Sequence, residues 1–425
     1  VSATATPGKT AKSPAAKIRA KLTVSRVLLI VAGALILISA VRAITGANDM
    51  TSSGQISGAL TMAVPIGLAG LGGLWSERAG VVNIGLEGMM MLGMFFGAWA
   101  GWQTNPWLAV VAGILGGALG GLIHAVVTVT FGVDHIVSGV AINILALGAT
   151  QYLAKIWFSM GEAAEKGGSP KQSPPMDDIK SFTVPGLSDW LHTLEGHHWF
   201  LVSDLAGIIG GLVTDLSSLT ILAVLLFVGT FFVLWRTAFG LRLRSCGENP
   251  IAAESLGVNV YKYKYLAVIA SGGLAGLGGA FLAIVPSHIY NEGQTGGRGY
   301  IGLAAMIFGN WRPGGLAMGA GLFGYSDSLQ LRNGGETVHA LLLALAVGLI
   351  ALAAWRLYQK KYVPAVIGAA VAVLLVVWYA LTDTVPDQLV GATPYIVTLL
   401  VLALASQRLR MPKADGQPYR KGQGK

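Results

Sequence analysis

Along these 425 residues, stretches of about twenty apolar residues recur, separated by polar breaks of which one, 159–218, is long. A helix needs roughly 20 such residues to cross the hydrocarbon of a bilayer. The runs that qualify are Val27 to Ile44, Ile56 to Leu74, Asn83 to Gly101, Trp107 to Phe131, Ile136 to Phe158, Leu219 to Trp235, Tyr265 to Val285, Val338 to Trp355, Pro364 to Leu381 and Pro394 to Ala405. Tyr300 to Leu329 is different, because Asn310, Trp311, Arg312, Pro313, Gly314 and Gly315 cut it into two pieces too short to span. Broken backbone at that depth is tolerated only under protein or beside water, which predicts a helix pair that enters and returns. The expected fold is an all-α polytopic membrane protein with about ten transmembrane helices plus a broken or re-entrant helix pair.

A chain that is 53% hydrophobic and 12% charged is excluded from the water-soluble globules. The 59 glycines lie inside Leu, Ile, Val and Ala runs without a three-residue period, so they read as close contacts between helices. Ser271 to Ala280 is the densest case, and Gly276 within it is expected to pack against a neighbouring helix. The single cysteine, Cys246, leaves no internal disulfide and no thiolate metal cluster. The net charge of +9 does not point to nucleic acid, because the basic residues are not interleaved with aromatics on a soluble face.

Placing the amino terminus in the cytoplasm puts 21 of the 29 lysines and arginines on the inner side and five, Lys166, Lys171, Lys180, Arg298 and Arg332, outside. That asymmetry is the one cytoplasmic loops carry, so both termini are expected in the cytoplasm. The organisation that follows is a disordered basic tail over 1–26, a transmembrane body over 27–406 and a second basic cytoplasmic tail over 407–425. Within the body, 159–218 is an extracytoplasmic loop, 236–264 a cytoplasmic loop and 338–381 a helical hairpin.

Few residues carry recognisable chemistry. Ala3 to Thr10 fits a relaxed phosphate-binding loop but lacks the preceding strand and following helix that such a loop needs. His124 and His135 lie in or beside spans with no GxSxG nearby, so hydrogen bonding between helices is the favoured role and the chain is not expected to be an enzyme. Glu77, beside Arg78, reads as an ion pair or helix cap at a turn. Asn83 and Glu87, four residues apart, are expected on one helix face, and with Asn143 they are the polar groups at depth that a translocation path would use. In the 236–264 loop, Asn249 can cap a helix that starts at Pro250 and closes at Gly257. So short a helix needs something to pack on; it either rests on its own protein or is a knob offered to a soluble partner. A secondary transporter or channel working without ATP is the rival class, read from Glu87 and the broken segment at Arg312 to Gly315.

The runs SERAGVVNIGLEGMMMLG, GLRLRSCGENPIAAESLGVNVYKYKY and GRGYIGLAAMIFGNWRPGGLAMGAGLFG resemble the permease subunits of bacterial ABC importers, in the nucleoside-type branch related to the ribose-type permeases. The resemblance covers roughly Gly58 to Leu331, then the last span and the tail with Gly416 to Tyr419. It implies an ABC importer permease architecture in the bacterial cell membrane, working by alternating access. The implied partners are a second permease, a cytoplasmic ATPase that uses ATP and Mg, and an extracytoplasmic substrate-binding lipoprotein; no cofactor is bound by this chain. The Asn249 to Gly257 helix corresponds to the coupling helix that docks on the ATPase, with Arg244, Asn249, Pro250, Glu254 and Gly257 as its residues and Arg244 and Glu254 as its polar contacts. A simple-sugar cargo is the alternative within the same fold. The 338–381 hairpin departs from the family's pattern.

Overall fold

A computed structural model describes residues 14–332, 334–405 and 409–422. The Ala3 to Thr10 motif lies outside the described residues. The helices, in order, are α1 Pro14–Thr45, α2 Ser53–Arg78, α3 Leu86–Gly101, α4 Pro106–Ala125, α5 His135–Trp157, α6 Glu162–Glu165, α7 Leu187–Gly196, α8 Val202–Val213, α9 Ser218–Arg236, α10 Ala238–Glu248, α11 Pro250–Ser255, α12 Val260–Ile284, α13 Arg298–Phe308, α14 Pro313–Leu331, α15 Gly335–Tyr358, α16 Tyr362–Leu381 and α17 Asp387–Ala405. Two short strands, β1 Ser181–Phe182 and β2 Leu216–Ser217, pair antiparallel with Ser181 opposite Ser217.

Among the described residues, seven helices are long and apolar enough to cross a membrane: α2, α4 with the π-turn Val126–Thr130 that prolongs it, α5, α9, α12, α15 and α16. The starts of α2, α4, α5, α9 and α12 are marked by polar caps that satisfy otherwise orphaned amides. Ser52 accepts from the Gln55 amide, Asn105 from those of Trp107 and Leu108, and Asp134 from those of Ile136 and Val137. The broken segment is a pair as expected, α13 and α14 joined through residues 309–312.

Two boundaries depart from the sequence reading. The third apolar run begins its helix at Leu86 and not at Asn83, because residues 79–85 are spent in a loop. Asn83 and Glu87 therefore do not share a helix face. At the amino end α1 starts at Pro14, inside the stretch expected to be a disordered tail.

The chain divides into two units. The larger comprises residues 52–192, 207–334 and 386–425, and its core is built from close helix approaches. A Cβ on Gly276 would lie 2.3 Å from the Gly113 carbonyl oxygen and 2.8 Å from the Gly117 Cα, and one on Gly93 would lie 2.2 Å from the Gly276 Cα. Helices α3, α4 and α12 thus meet backbone to backbone at positions that admit no side chain. Outward, Leu115, Ile144, Leu225 and Val228 are exposed, as lipid-facing residues are. The long loop after α5 is ordered. Ser173 and Met176 donate their amides to the Tyr290 and His288 carbonyls, and Tyr290 packs with Phe95 and Phe158.

The smaller unit comprises residues up to 51, 193–206 and 335–385. Here Val41 and Met50 pack with Ala340 and Ala344. Its polar centre is Asp204, which accepts from Arg42 at 2.7 Å, Ser39 at 2.6 Å and Thr51 at 2.6 Å. Burial works against the Asp204 carboxylate, yet these hydrogen bonds hold it below the usual carboxylate range.

Candidate functional site

The connection between α9 and α12 folds as its residues dictate. The Asn249 side chain accepts from the Ala252 amide at 3.0 Å, and Pro250 takes the first helical position, where it has no amide to leave unpaired. At the other end Gly257 is left-handed at φ +82°, with Gly257 N–H bonded to Glu254 O and Val258 N–H to Ala253 O. That pair of bonds closes a helix in the Schellman manner and asks for glycine. Helix α11 rests on a small apolar base of Cys246, Ala253 and Val260, with Tyr419 against it. Burial pushes the Cys246 thiol up to about 11, so it packs as a hydrophobe. The large side chains turned outward on α11 and at its C-cap are apolar: Ile251 is 47% and Leu256 85% exposed.

The two charged residues expected to meet a partner are both engaged within the chain. Arg244 donates Nε–H to the Leu234 carbonyl at 2.9 Å and its guanidinium lies 5.4 Å from the Trp235 ring centre. Glu254 accepts from the Tyr419 hydroxyl at 2.5 Å. Tyr419 belongs to the carboxyl-terminal stretch expected to be a loose basic tail. Instead, residues 409–422 run across this face. Arg410 N–H bonds Asn310 Oδ1 at 2.7 Å, Ala414 N–H bonds the Gly247 carbonyl at 2.9 Å, and the Tyr419 ring lies 5.5 Å from that of Tyr261. Burial pushes the Asp415 carboxyl up to about 7, against the opposing pull of Glu77 and Lys264. Burial and the neighbouring Glu254 carboxylate push the Tyr419 phenol above its ordinary value.

The tail reaches the turn of the α13–α14 pair. Asn310 and Trp311 both sit in the left-handed region, at φ +55° and +54°, a conformation that a bulky L residue adopts only when its surroundings enforce it. Those surroundings are visible. The Trp311 indole donates to Glu77 at 2.6 Å, and Arg78 donates to the Trp311 carbonyl through Nη2 at 2.6 Å and Nε at 3.0 Å. Glu77 and Arg78 therefore grip Trp311 instead of pairing with one another.

The three residues singled out at depth are all committed. Glu87 caps α13, with Oε1 accepting from the Gly297 amide at 2.9 Å and Oε2 from the Gly299 amide at 2.7 Å, the placement a helix N-terminus favours for an anion. Asn143 accepts from the Gly88 amide at 2.7 Å and donates to Ile84 O and the Tyr300 hydroxyl. Asn83 accepts from the Gly85 amide and donates to Ser271 at 2.9 Å. Glu87 and Asn143 are thus brought together through Tyr300 at the start of α13, while Asn83 ties its loop to α12. His124 lies between the Ser138 hydroxyl and the Val82 carbonyl, the packing role expected of it.

Sequence reasoning assigned no role to Tyr419, to Asp415 or to an ion pair between Arg298 and Asp327 at 2.7 Å. Arg298 and Asp327 edge a polar cavity of about 130 Å³ together with Gln330 and Tyr395. A lone carboxylate inside the apolar run of α14 was the available signal, since intramembrane charge demands a partner. In the tail the signal was the resemblance over Gly416 to Tyr419, which gives these residues no contact.

Comparison with known proteins agrees with this architecture. The family described as branched-chain amino acid transport system / permease component matches residues 55–347. The guanosine ABC transporter permease protein NupQ of Bacillus subtilis is 36% identical over 85% of this chain and 95% of its own length. The nucleoside ABC transporter permease protein NupC of Lactococcus lactis is 32% identical over 86% and 96%. A second B. subtilis protein, the guanosine ABC transporter permease protein NupP, is 25% identical over 61% and 69%. No solved structure matches the chain. A multi-pass membrane body with these extended similarities belongs to the family of permease components of branched-chain amino acid-type transport systems.

Proposed function

We propose that this chain is the membrane-spanning permease of an ATP-driven importer that carries nucleosides into a bacterial cell. The observation that carries the reading is α11, a capped knob with Ile251 and Leu256 outward, on a connection that the charge distribution assigns to the cytoplasm. An exposed apolar pair on a charged connection is what a docking element for a soluble protein needs. The nucleoside cargo rests on the names of NupQ and NupC, which align over nearly their whole lengths.

In this reading the chain crosses the membrane about ten times, keeps both termini in the cytoplasm and binds no cofactor. ATP and Mg are used by the partner ATPase, an external lipoprotein captures the cargo, and lipid surrounds the body. B. subtilis has both NupQ and NupP among the relatives, and the chain is more similar to NupQ, which supports a second, paralogous permease at its side. Alternating access then follows from docking: nucleotide-driven movement of the ATPase displaces α11, with Asn249, Pro250 and Gly257 preserving its shape and Arg244 and Glu254 fastening it. Asn83, Glu87 and Asn143 serve the path by fixing the loop before α3 and the start of α13, and Tyr300, held by Asn143 and 46% exposed, is the group left to meet passing cargo.

The test is reconstitution. Vesicles holding the permease pair, the ATPase and the lipoprotein are expected to accumulate nucleoside only with ATP inside the compartment that faces the ATPase. Accumulation by this chain alone, without ATP, would overturn the reading in favour of a secondary transporter, and uptake of ribose in place of nucleoside would reassign the cargo.

A further inference from the structure

The tail over 409–422 is fastened at three separated points: to the α13–α14 turn through Arg410 and Asn310, to the end of α10 through Ala414 and Gly247, and to α11 through Tyr419 and Glu254. Between its last described residues and the connection leading into α12 lies a hollow of about 420 Å³, bordered by Glu254, Val258, Tyr261, Tyr419 and Lys421. The exposed Leu256 is next to the hollow in sequence, one residue before Gly257, which also lines it. One wall thus ends in an apolar projection and the other in the basic residues Arg420 and Lys421, both exposed.

We propose that the surface receiving the ATPase is composite, made of α11 and the 419–421 segment of the tail around this hollow. The inference rests on the importer reading above and deepens it by adding a second contributor to the partner's dock. Its physical basis is that Glu254, the carboxylate on α11, is already satisfied by Tyr419. Whatever approaches α11 at that edge therefore meets the tail as well. The occupant this surface fits is an ATPase segment with apolar side chains for Ile251 and Leu256 and acidic ones for Arg420 and Lys421. The same tail is hydrogen-bonded to the strained turn at Asn310, so a push on the dock has a route along the tail to the α13–α14 pair.

Cys246 is the only cysteine in the sequence and is buried, so an introduced thiol on the surface is singly addressable. In the complete complex, Ser255→Cys on α11 and Lys421→Cys on the tail are each treated with a short thiol-to-amine cross-linker. Both are expected to join the ATPase, with comparable yield and with the same dependence on nucleotide. In parallel, Tyr419→Ala is expected to lower the ATPase stimulation given by loaded lipoprotein by roughly tenfold, the scale of losing an interface anchor. Tyr419→Phe, which keeps the ring on Tyr261 and removes the bond to Glu254, is expected to fall between. Thermal melting of the solubilised permease serves as the folding control. Cross-linking from Ser255→Cys with none from Lys421→Cys overturns the composite surface while leaving the importer reading standing. Full stimulation in Tyr419→Ala does the same. Failure of the wild-type chain to retain any ATPase removes both.

Discussion

The two units of this chain hold their helices together by different physics. In the larger, α3, α4 and α12 approach through Gly93, Gly113, Gly117, Gly272 and Gly276, with carbonyls and Cα atoms where side chains would otherwise stand. In the smaller, contacts run through side chains: Leu37 and Val41 of α1 with Ala340 and Ala344 of α15, and a buried ionic centre at Asp204. A Cβ on Gly348 in this unit would meet nothing nearer than Leu37 Cδ2 at 3.9 Å. Glycine is a structural requirement where α3, α4 and α12 meet and an ordinary residue at Gly348 of α15. Two surfaces in lipid gain little from hiding apolar area, so backbone proximity has to supply the cohesion where helices carry load.

The sharpest way to break that contrast is Gly276→Leu. The new side chain meets the Gly113 carbonyl and the Gly117 backbone, and overpacking on rigid backbone has no cheap relaxation. Loss of folded permease is expected, read by fluorescence-detected size exclusion; a normal elution profile would refute the glycine-contact account. Next in size is the ionic centre. Arg42→Met strands the Asp204 carboxylate and is expected to cost about 3–5 kcal/mol of stability within the smaller unit. Adding Asp204→Leu to Arg42→Met is expected to recover much of it in the same denaturation experiment.

Glu87→Gln probes how the larger unit uses a charge at depth. A carboxamide cannot accept at both of its polar atoms, so one of the amides of Gly297 and Gly299 loses its partner, at about 1–3 kcal/mol. Nucleoside uptake at matched expression is expected to fall, and unchanged uptake would deny the α13 cap any part in transport.

Smaller again is a pH effect on the tail. Docked, the Asp415 carboxyl titrates near 7; released, it returns toward 3.8. The docked tail therefore keeps a proton that the free tail gives up, so docking is strongest in acid, weakens as pH climbs through that window and is level above it. Limited proteolysis is expected to cut the tail faster at about pH 8 than at about pH 5 once corrected for protease activity, and Asp415→Asn is expected to flatten the difference. Least of all, Gly348→Ala is expected to leave the smaller unit unchanged or more stable by up to ~1 kcal/mol, the helical preference of alanine over glycine. Destabilisation there would erase the distinction between the units.

What was readable beforehand follows the range of the interactions. Seven of the ten expected spans could be read because hydropathy is local, and α11 because Asn249, Pro250 and Gly257 each act within one turn. The glycine contact at Gly276 was readable from density alone. Asn83 misled because four-residue spacing presumes a helix that had not yet begun. The tail was illegible for the opposite reason: Arg410, Lys413, Arg420 and Lys421 look like solvated charge, while the bonds that order it reach Asn310, Gly247 and Glu254, far away in the chain. The Asp204 centre hid similarly, since Ser39 and Arg42 lie more than 150 residues before it.

The Glu87 cap also decides what the start of α13 can hold. The positive start of α13 is a natural berth for a phosphate, but both amides there are already taken by the chain's own carboxylate. Glu87 is itself buried, so the berth is filled from within the protein and its charge is spent on holding α13.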